Sequence, residues 1–275
     1  MSDFVIGDIS GYKEEFFELI KNKPWISRIV ALGDIIDRGP DSKGMIEFFK
    51  NNKEHVCLMG NHEHMFIKCY EEVMEGKKNP YALIFWVYVN GGKETLESYG
   101  LKVPDIGKTR KELVNMFPNE RKILSESTEI KELKAQFSLI PKEDIEFLKT
   151  LPMFIETPTA FYSHASVKNW REPKLFDYKV IDNNELVLDI SCLWNRSLPD
   201  KVRADGKFYV YGHQNKPKVL VHSNKYPIGK YLDDLDLVLP SDAWGACIDT
   251  VKAGFLTGLK MDDLSTHYSF LKDKK

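Results

Sequence analysis

Apolar residues in the first 75 positions of the chain recur with two alternating spacings. Short runs rich in β-branched and aromatic residues (DFVIG, SRIVALGD and HVCLMGN) are each followed by a segment with apolar residues at helical spacing (YKEEFFELIKN, SKGMIEFFKNN and EHMFIKCYEEVMEG). This pairing predicts a strand and then an amphipathic helix. Three such units in succession predict a parallel sheet covered by helices.

The pattern changes twice further along the chain. From about 70 to 150 the sequence is highly charged with helical spacing, as in TRKELVNMF and PKEDIEFLKTL, which predicts a helical insertion or cap. From 153 onward, short β-rich runs return: MFIET, AFYSHA, KFYVYGH, KVLVHS, ACIDT and AGFLTGLKM. Their short separations predict a second, partly antiparallel sheet. We interpret residues 1–275 as one α/β domain with the helical insertion at about 70–150.

Composition narrows the classes of function. The chain has 39 Lys and Arg against 41 Asp and Glu, a net charge of −2, which argues against a binder of long nucleic acid. Four cysteines without a CxxC pair predict buried, reduced thiols. No signal peptide precedes the first predicted strand, and YALIFWVYV is too short to cross a bilayer. We therefore expect a soluble, cytoplasmic protein with no membrane partner; its oligomeric state stays open.

Polar residues cluster where the predicted strands end. Because binding sites in open α/β sheets form outside the carboxyl ends of strands, these clusters can converge in one crevice. Each cluster alone is more typical of a helix cap, a turn or a structural histidine. Five of them in succession favour one shared site. The clusters are Asp8; Asp34, Asp37 and Arg38; Asn61, His62, Glu63 and His64; His164; and His213.

The residue types in these clusters suggest metal-assisted hydrolysis. Aspartate, asparagine and histidine are suitable ligands for Mn, Fe or Zn. A carboxylate such as that of Asp34 can bridge two ions about 3.5–4 Å apart, as in two-metal phosphoesterases. The forked guanidinium of Arg38 suits phosphate oxygens.

The blocks GDISG, GDIIDRGP, GNHE, SHA and GH resemble the five sequence blocks of the metallophosphoesterase (calcineurin-like) superfamily. They are most similar to the phosphoprotein phosphatase branch, whose blocks read GDxHG, GDxxDRG, GNHE, HA or HG, and GH. The resemblance extends over about residues 4 to 260, and the segments NGGKETLESYG and LWNR also look like bacterial and phage members. It implies a calcineurin-like four-layer β-sandwich flanked by helices.

The resemblance also implies a role for each matching residue. The metal ligands would be Asp8 for a first ion, Asp34 for both ions, and Asn61, His164 and His213 for a second ion. His62 would be the general acid, oriented by Asp37, while Arg38, Arg196 and Asn61 would bind the phosphoryl group. Two divalent metal ions are implied, with manganese favoured and iron or zinc as alternatives.

Ser10 departs from the pattern of the family, which places a histidine there as a ligand of the first ion. A neutral hydroxyl is a poor ligand for these metals compared with an imidazole nitrogen. Three hypotheses stay open. The serine is a natural or engineered inactivating change; or the first ion is held weakly, with water filling the gap; or a nearby group replaces the histidine, for which His64 is the visible candidate.

The resemblance indicates the substrate class less directly than it indicates the chemistry. The branch contains serine/threonine phosphatases and symmetrical diadenosine tetraphosphatases, and the latter tend to lack the aspartate that stands here as Asp37. The leading hypothesis is a Mn-dependent phosphomonoesterase acting on a phosphorylated protein or a small phosphoester. The alternatives are a dinucleoside polyphosphate or RNA-cap hydrolase, and a pseudophosphatase that binds phosphorylated ligands through Arg38, Arg196 and one metal ion.

Overall fold

Strands and helices alternate in the first third of the chain, and helices follow up to residue 149. The computed structural model describes residues 3–76, 81–167, 179–182, 185–188, 191–199, 202 and 205–272, with only the backbone of 179–182, 185–188 and 191. The strands are β1 (Asp3–Ile6), β2 (Arg28–Ala31), β3 (Val56–Cys57), β4 (Phe154–Glu156), β5 (Ala160–Ser163), β6 (Lys179–Asp182), β7 (Glu185–Leu188), β8 (Phe208–Tyr211), β9 (Leu220–Ser223), β10 (Lys230–Tyr231), β11 (Ala243–Cys247), β12 (Phe255–Lys260) and β13 (Ser265–Phe270). The helices are α1 (Lys13–Ile20), α2 (Ser42–Asn51), α3 (Asn61–Met74), α4 (Tyr81–Val89), α5 (Gly92–Ser98), α6 (Arg110–Asn115), α7 (Pro118–Ser125), α8 (Thr128–Ala135), α9 (Lys142–Lys149) and α10 (Ser191–Trp194), with 3₁₀ turns at Gln136–Leu139 and Val251–Ala253.

The first sheet has the strand order β13-β12-β1-β2-β3. Strands β1, β2 and β3 run parallel, which confirms the predicted parallel sheet. The prediction for AGFLTGLKM was wrong, because this segment forms β12 and joins the first sheet rather than the second. It pairs antiparallel with β1 and so covers the edge of β1 that β2 leaves open.

The second sheet has the order β10-β9-β11-β8-β5-β4. Strands β5, β8 and β11 run parallel, while β4, β9 and β10 are antiparallel to their neighbours. The expected partly antiparallel sheet is therefore confirmed. Strands β6 and β7 form a separate two-stranded hairpin.

The two sheets face each other across a shared apolar layer. In β1, Val5 contributes to this layer, whereas Phe4 and Ile6 lie in a second core on the helix side. Val210 and Tyr162 reach the shared layer from the second sheet. This alternation follows from the two-residue period of a strand. The predicted class, an α/β sandwich of two sheets flanked by helices, is confirmed.

Helices cover the outer face of the first sheet. Phe16, Met45 and Phe66, from α1, α2 and α3, lie in the same core cluster as Trp86 of α4 and Ile130 of α8. The segment that was expected to be helical is helical, and its apolar residues pack on the helices of the parallel sheet. The division of the chain into one domain stays a prediction. Within the described residues, no helix is both long enough and apolar enough to cross a membrane.

A buried carboxylate ties the helical region to the first sheet's helices. Asp144 of α9 is 1% exposed and accepts hydrogen bonds from Lys50 of α2 and from the Tyr99 hydroxyl, the latter at 2.9 Å. Because Tyr99 directly follows α5, one side chain joins three helices.

Replacing Asp144 with Ala should destabilise the protein by about 2–4 kcal/mol, since the lysine and the phenol lose a shared buried acceptor. The measurement is urea unfolding monitored by circular dichroism. Lys149→Ala on the same helix is the control, because Lys149 forms ion pairs with Glu71 and Glu146 at the surface and its loss should cost at most about 1 kcal/mol. Equal losses for the two variants would contradict this account.

Candidate metal centre

The sequence-predicted residues follow parallel strands of both sheets. Asp8, Asp34 and Asn61 lie beyond the ends of β1, β2 and β3. His164 and His213 lie beyond the ends of β5 and β8. Because the sheets face each other, the carboxyl ends of these five strands meet at one edge of the sandwich. The predicted convergence of the clusters is therefore what the fold produces.

Glycines let the connecting loops approach each other closely. Gly33 has φ +94°, and a Cβ atom there would lie 2.7 Å from the backbone of Gly60 and 3.0 Å from Nδ1 of His164. A Cβ on Gly60 would lie 2.3 Å from Oδ1 of Asp34. Side chains at either position would push the loops after β2 and β3 apart.

Three potential ligand atoms surround Nε2 of His164. This nitrogen lies 3.0 Å from Oδ1 of Asn61, 3.2 Å from Nδ1 of His213 and 3.4 Å from Oδ1 of Asp34. The ligand atoms of Asp34, His164 and His213 all lie within 4.8 Å of one another. All four residues are at most 3% exposed.

This geometry fits a divalent metal ion. An ion with bonds of about 2.1 Å separates neighbouring ligand atoms by about 3.0 Å in an octahedral site and by about 3.4 Å in a tetrahedral site. Nδ1 of His164 donates to the carbonyl of Leu32 at 2.8 Å, which leaves Nε2 with a free lone pair. Electron-rich atoms that lie so close together in a buried site are suited to a cation between them.

The histidines of this group are held in their neutral form. Burial lowers the pKa of His213 to about 3 and also lowers the pKa of His164 below its usual value. Neutral imidazole is the form that binds metals. Nε2 of His213 is buried without a hydrogen-bond partner among the described residues.

Next to this group, His62 joins Asp37 to Arg38. Nδ1 of His62 lies 2.5 Å from Oδ2 of Asp37, and Nε2 accepts from Nη2 of Arg38 at 2.7 Å. Since Arg38 can only donate, the ring proton is assigned to Nδ1. The backbone N–H of His62 also donates to Oδ1 of Asp34 at 3.0 Å, which places this pair beside the ligand group.

Ser10 contacts Arg38 rather than a metal ligand. The serine is fully buried with φ 51°, and its Oγ accepts from Nη1 of Arg38 at 3.0 Å. The backbone of Arg38 is also left-handed (φ 67°), and its N–H donates to the carbonyl of Gly91 at 3.0 Å. Such backbone conformations are costly for residues other than glycine, so the surrounding contacts hold this loop in place.

The comparisons with known proteins agree with this arrangement. The family described as calcineurin-like phosphoesterase matches residues 4–239. The chain belongs to this family.

Individual relatives are similar over shorter segments. The zinc-dependent endopolyphosphatase of Saccharomyces cerevisiae is 37% identical over 70 residues, which cover 24% of this chain and 22% of that protein. The symmetrical bis(5'-nucleosyl)-tetraphosphatase of Buchnera aphidicola subsp. Acyrthosiphon pisum is 31% identical over 85 residues, which cover 30% of this chain and 31% of that protein. The matched segment thus spans about a fifth to a third of the length of these relatives.

The fold is also shared with a solved structure. A crystal structure of a protein provisionally described as a diadenosine tetraphosphatase superposes on 99% of this chain and 94% of its own, with a TM-score of 0.52 and 15% identity. This likeness supports the architecture of the calcineurin-like phosphoesterase fold. The roles of the individual site residues stay predictions.

Two residues of the helical region after α3 reach this site and were not predicted. Nε1 of Trp86 donates to Oδ2 of Asp37 at 2.9 Å, and the hydroxyl of Thr95 donates to Oδ1 of Asp37 at 2.6 Å. Asp37 is fully buried; its Oδ2 accepts from both His62 and Trp86, and Thr95 satisfies Oδ1, which His62 leaves free. The segment NGGKETLESYG was noted in the sequence, but nothing local indicated which of its residues would contact Asp37.

Glu63 organises the loop that carries Asp34. It is fully buried, and its carboxylate accepts from the backbone N–H groups of Asp34 (2.8 Å), Ile35 (2.9 Å) and Gly60 (2.9 Å). The GNHE block therefore supplies a candidate ligand (Asn61), a histidine beside the ligand group (His62) and the carboxylate that holds the loop after β2 (Glu63).

Asp249 is a further buried carboxylate that the sequence analysis missed. It lies beyond the end of β11, the third parallel strand of the second sheet, and is fully buried. Oδ2 accepts from the N–H of Asn215 at 2.5 Å, while Oδ1 has no partner among the described residues. Its position in the run ACIDT, just after β11, repeats the strand-end pattern of the predicted site residues, and this pattern could have identified it.

Positive side chains line the rim. Nη1 of Arg196 donates to the carbonyl of His213 at 3.2 Å, and the rest of the side chain is exposed. Partial burial, and then the positive charges of Arg38 and Arg196, lower the pKa of Lys252. Arg38, Arg196 and Lys252 therefore form a positively charged border suited to a phosphate group. Lys252 was not predicted.

His64 does not join the ligand group. It is half-buried on α3, and the charges that act on it belong to Lys68 and Glu71 of the same helix. Among the described residues, the group whose ligand atoms all lie within 4.8 Å of one another comprises Asp34, His164 and His213, and it includes neither His64 nor Asp8.

The neutral histidines predict how the metal-free protein responds to acid. The pKa of His213 is about 3 in the folded chain but about 6.5 when unfolded, so below pH 6.5 the unfolded state binds more protons. The stability from His213 is present above pH 6.5 and is lost as the pH falls towards 3. Between pH 7 and pH 4.5, the free energy of unfolding of EDTA-treated protein should fall by about 2–4 kcal/mol.

Urea unfolding of the EDTA-treated protein at several pH values measures this loss. His213→Asn is the matched comparison, because it removes the titrating group and should reduce the change over the same interval by about 2 kcal/mol. If the free energy of unfolding falls equally with pH in both proteins, His213 does not contribute to the loss of stability in acid.

Proposed function

We propose that this chain is a metal-dependent phosphomonoesterase that acts on phosphorylated serine or threonine in proteins, or on small phosphoesters. The observation that carries the proposal is the buried Asp37–His62 pair beside the group of Asp34, Asn61, His164 and His213. The family membership supports the chemical class, and the intact Asp37 favours a phosphatase over a diadenosine tetraphosphatase.

The residues present fit the metal that the family requires. Asp34, Asn61, His164 and His213 would hold one ion, and Asp8 with Asp34 would contribute to the other; manganese is favoured, with zinc and iron as alternatives. Such ions neutralise phosphoryl charge and lower the pKa of a water molecule when they are bound. The protein must supply the proton for the leaving group and the donors that orient the phosphoryl group.

His62 is placed to deliver the proton. With its Nδ1–H bonded to Asp37, the ring presents Nε2 as the atom that can carry a proton to the leaving oxygen. In the substrate-free chain this nitrogen accepts from Arg38. A bound phosphoryl group would compete for the guanidinium, since charge-assisted bonds to phosphate are stronger than a bond to neutral imidazole. Substrate binding would thereby free Nε2 for protonation.

A second candidate function is hydrolysis of a dinucleoside polyphosphate such as diadenosine tetraphosphate. The indole of Trp194 is 42% exposed, and its centroid lies 6.2 Å from that of His213. An exposed aromatic face beside a metal group can stack on a nucleobase. The name of the Buchnera relative, a symmetrical bis(5'-nucleosyl)-tetraphosphatase, points to the same class of substrate.

His62→Asn should lower kcat for p-nitrophenyl phosphate in Mn²⁺ by about 10²–10⁴, because the proton donor is lost. Metal content should not change, since the N–H of residue 62 still contacts Asp34. His55→Asn is the control; this half-buried histidine accepts from the N–H of Ile29, and its loss should leave kcat within about twofold. A His62→Asn enzyme with normal kcat would contradict the assignment.

Substrate competition then separates the candidates. A phosphopeptide should inhibit p-nitrophenyl phosphate hydrolysis more strongly than diadenosine tetraphosphate if the leading proposal holds, and the reverse order supports the second candidate. Phosphopeptide binding without turnover of any substrate would identify a pseudophosphatase and overturn both.

Trp86→Phe tests the contribution of the insertion. In the wild-type chain the rings of Trp86 and Phe66 are stacked with centroids 4.9 Å apart. A phenylalanine at position 86 can keep this stacking but lacks the indole N–H that donates to Asp37. We expect kcat to fall by about tenfold with KM unchanged, and the acid limb of the pH–rate profile to shift, because Asp37 orients His62. Phe66→Leu, which disturbs the same packing but no hydrogen bond, should leave the pH profile in place.

A further inference from the structure

Asp8 and Asp249 form a pair of buried carboxylates on either side of the loop that carries His213. Oδ1 of Asp8 accepts from the N–H of His213 at 3.1 Å, and Oδ2 of Asp249 accepts from the N–H of Asn215 at 2.5 Å. One loop therefore holds one oxygen of each carboxylate, and both residues are at most 3% exposed.

Gly212 lies between the two carboxylates. A Cβ atom on Gly212 would lie 2.5 Å from Oδ1 of Asp8 and 3.8 Å from Cβ of Asp249. A Cβ on Gly7, the residue before Asp8, would lie 3.3 Å from Cα of Asp249. The absence of both side chains brings Asp8 and Asp249 into one small compartment beside Asp34.

The negative charge in this compartment is not balanced by the protein. Asp8, Asp34 and Asp249 contribute three carboxylates, each at most 3% exposed. Arg38 and Lys252 are the cations near these three carboxylates, and the guanidinium of Arg38 donates to Ser10 and His62 rather than to them. Oδ1 of Asp249 and Oδ1 of Asn215 are both buried acceptors without a partner among the described residues. Unpaired buried acceptors of this kind indicate a missing cation.

We propose that Asp249 is a ligand of the first metal ion and takes over from the histidine that Ser10 replaces. The first ion would then be bound by the carboxylates of Asp8, Asp34 and Asp249, an all-oxygen set, whereas the second ion has two imidazole ligands. This proposal rests on the proposed metal-dependent function but concerns the metal and not the substrate.

The donor set implies different preferences for the two ions. Carboxylate oxygens suit Mg²⁺ and Mn²⁺, while imidazole suits Zn²⁺ and Fe. Ser10 is then free to hold Arg38 for the phosphoryl group. The serine is neither a lesion nor a ligand in this account, and His64 is not required.

The test is metal stoichiometry, measured by inductively coupled plasma mass spectrometry after equilibrium dialysis against Mn²⁺, with no substrate present. Wild-type protein should hold two ions per chain. Asp249→Asn should hold one, with the dissociation constant of the weaker ion raised at least tenfold. Asp242→Asn is the matched control, because this exposed aspartate lies just before β11, and it should retain two ions.

Ser10→His combined with Asp249→Asn supplies the rescue. An imidazole at position 10 should restore the second ion and shift its preference from Mg²⁺ towards Zn²⁺ in competition dialysis. Circular dichroism checks the fold of each variant. If Asp249→Asn alone does not fold, the number of ions bound by the wild-type protein and by the double variant still tests the ligand assignment.

Three results would overturn the proposal: one ion in the wild-type protein at saturating Mn²⁺, two ions of unchanged affinity in Asp249→Asn, or no second ion in the double variant. Because ion binding is measured without turnover, a protein that binds two ions but hydrolyses no phosphoester would refute the proposed function and leave the ligand assignment standing.

Discussion

The opposition of two sets of three parallel strands is the constraint on which the rest of the structure depends. Strands β1, β2 and β3 in one sheet face β5, β8 and β11 in the other, so six carboxyl ends meet at one edge of the sandwich. Each end carries a polar side chain into a space that the apolar layer behind it keeps dry. The burial that stabilises the sheets is therefore also the burial that keeps His213 neutral and leaves Oδ1 of Asp249 without a hydrogen-bond partner among the described residues.

Much of this arrangement could be predicted from the sequence, because strand ends are local features. Asp34, Asn61 and His164 each follow an apolar run, and a short run ending in a polar residue indicates both the strand and the edge at which its side chain emerges. The same reasoning located the parallel sheet and the helical region. It assigned β12 to the wrong sheet, since a strand's own residues do not state which edge it will cover.

The remaining features depend on contacts between distant segments. Trp86 and Thr95 reach Asp37 across 49 and 58 residues, and nothing in their own surroundings distinguishes them from core residues of a helical insertion. Asp249 looks like an ordinary turn aspartate until burial and the missing partner of Oδ1 are known. The sequence showed that Ser10 stands where the family has a histidine, but it did not show what Ser10 contacts. Its hydrogen bond with Arg38 depends on the left-handed backbone at both residues, which only the structure shows.

These contacts change how a missing ligand should be interpreted. A metal site in a buried compartment is determined by the total charge and the number of oxygen and nitrogen donors that face it, and not by one position of a motif. Asp8, Asp34 and Asp249 carry three negative charges when ionised, more than Arg38 and Lys252 can balance. A neutral imidazole carries no charge, so its removal does not change this balance. A cation therefore remains favourable in this compartment after the histidine is lost. On the proposed assignment, the donors of the first ion change from a mixed nitrogen and oxygen set to oxygen alone, and the preferred ion should change with them.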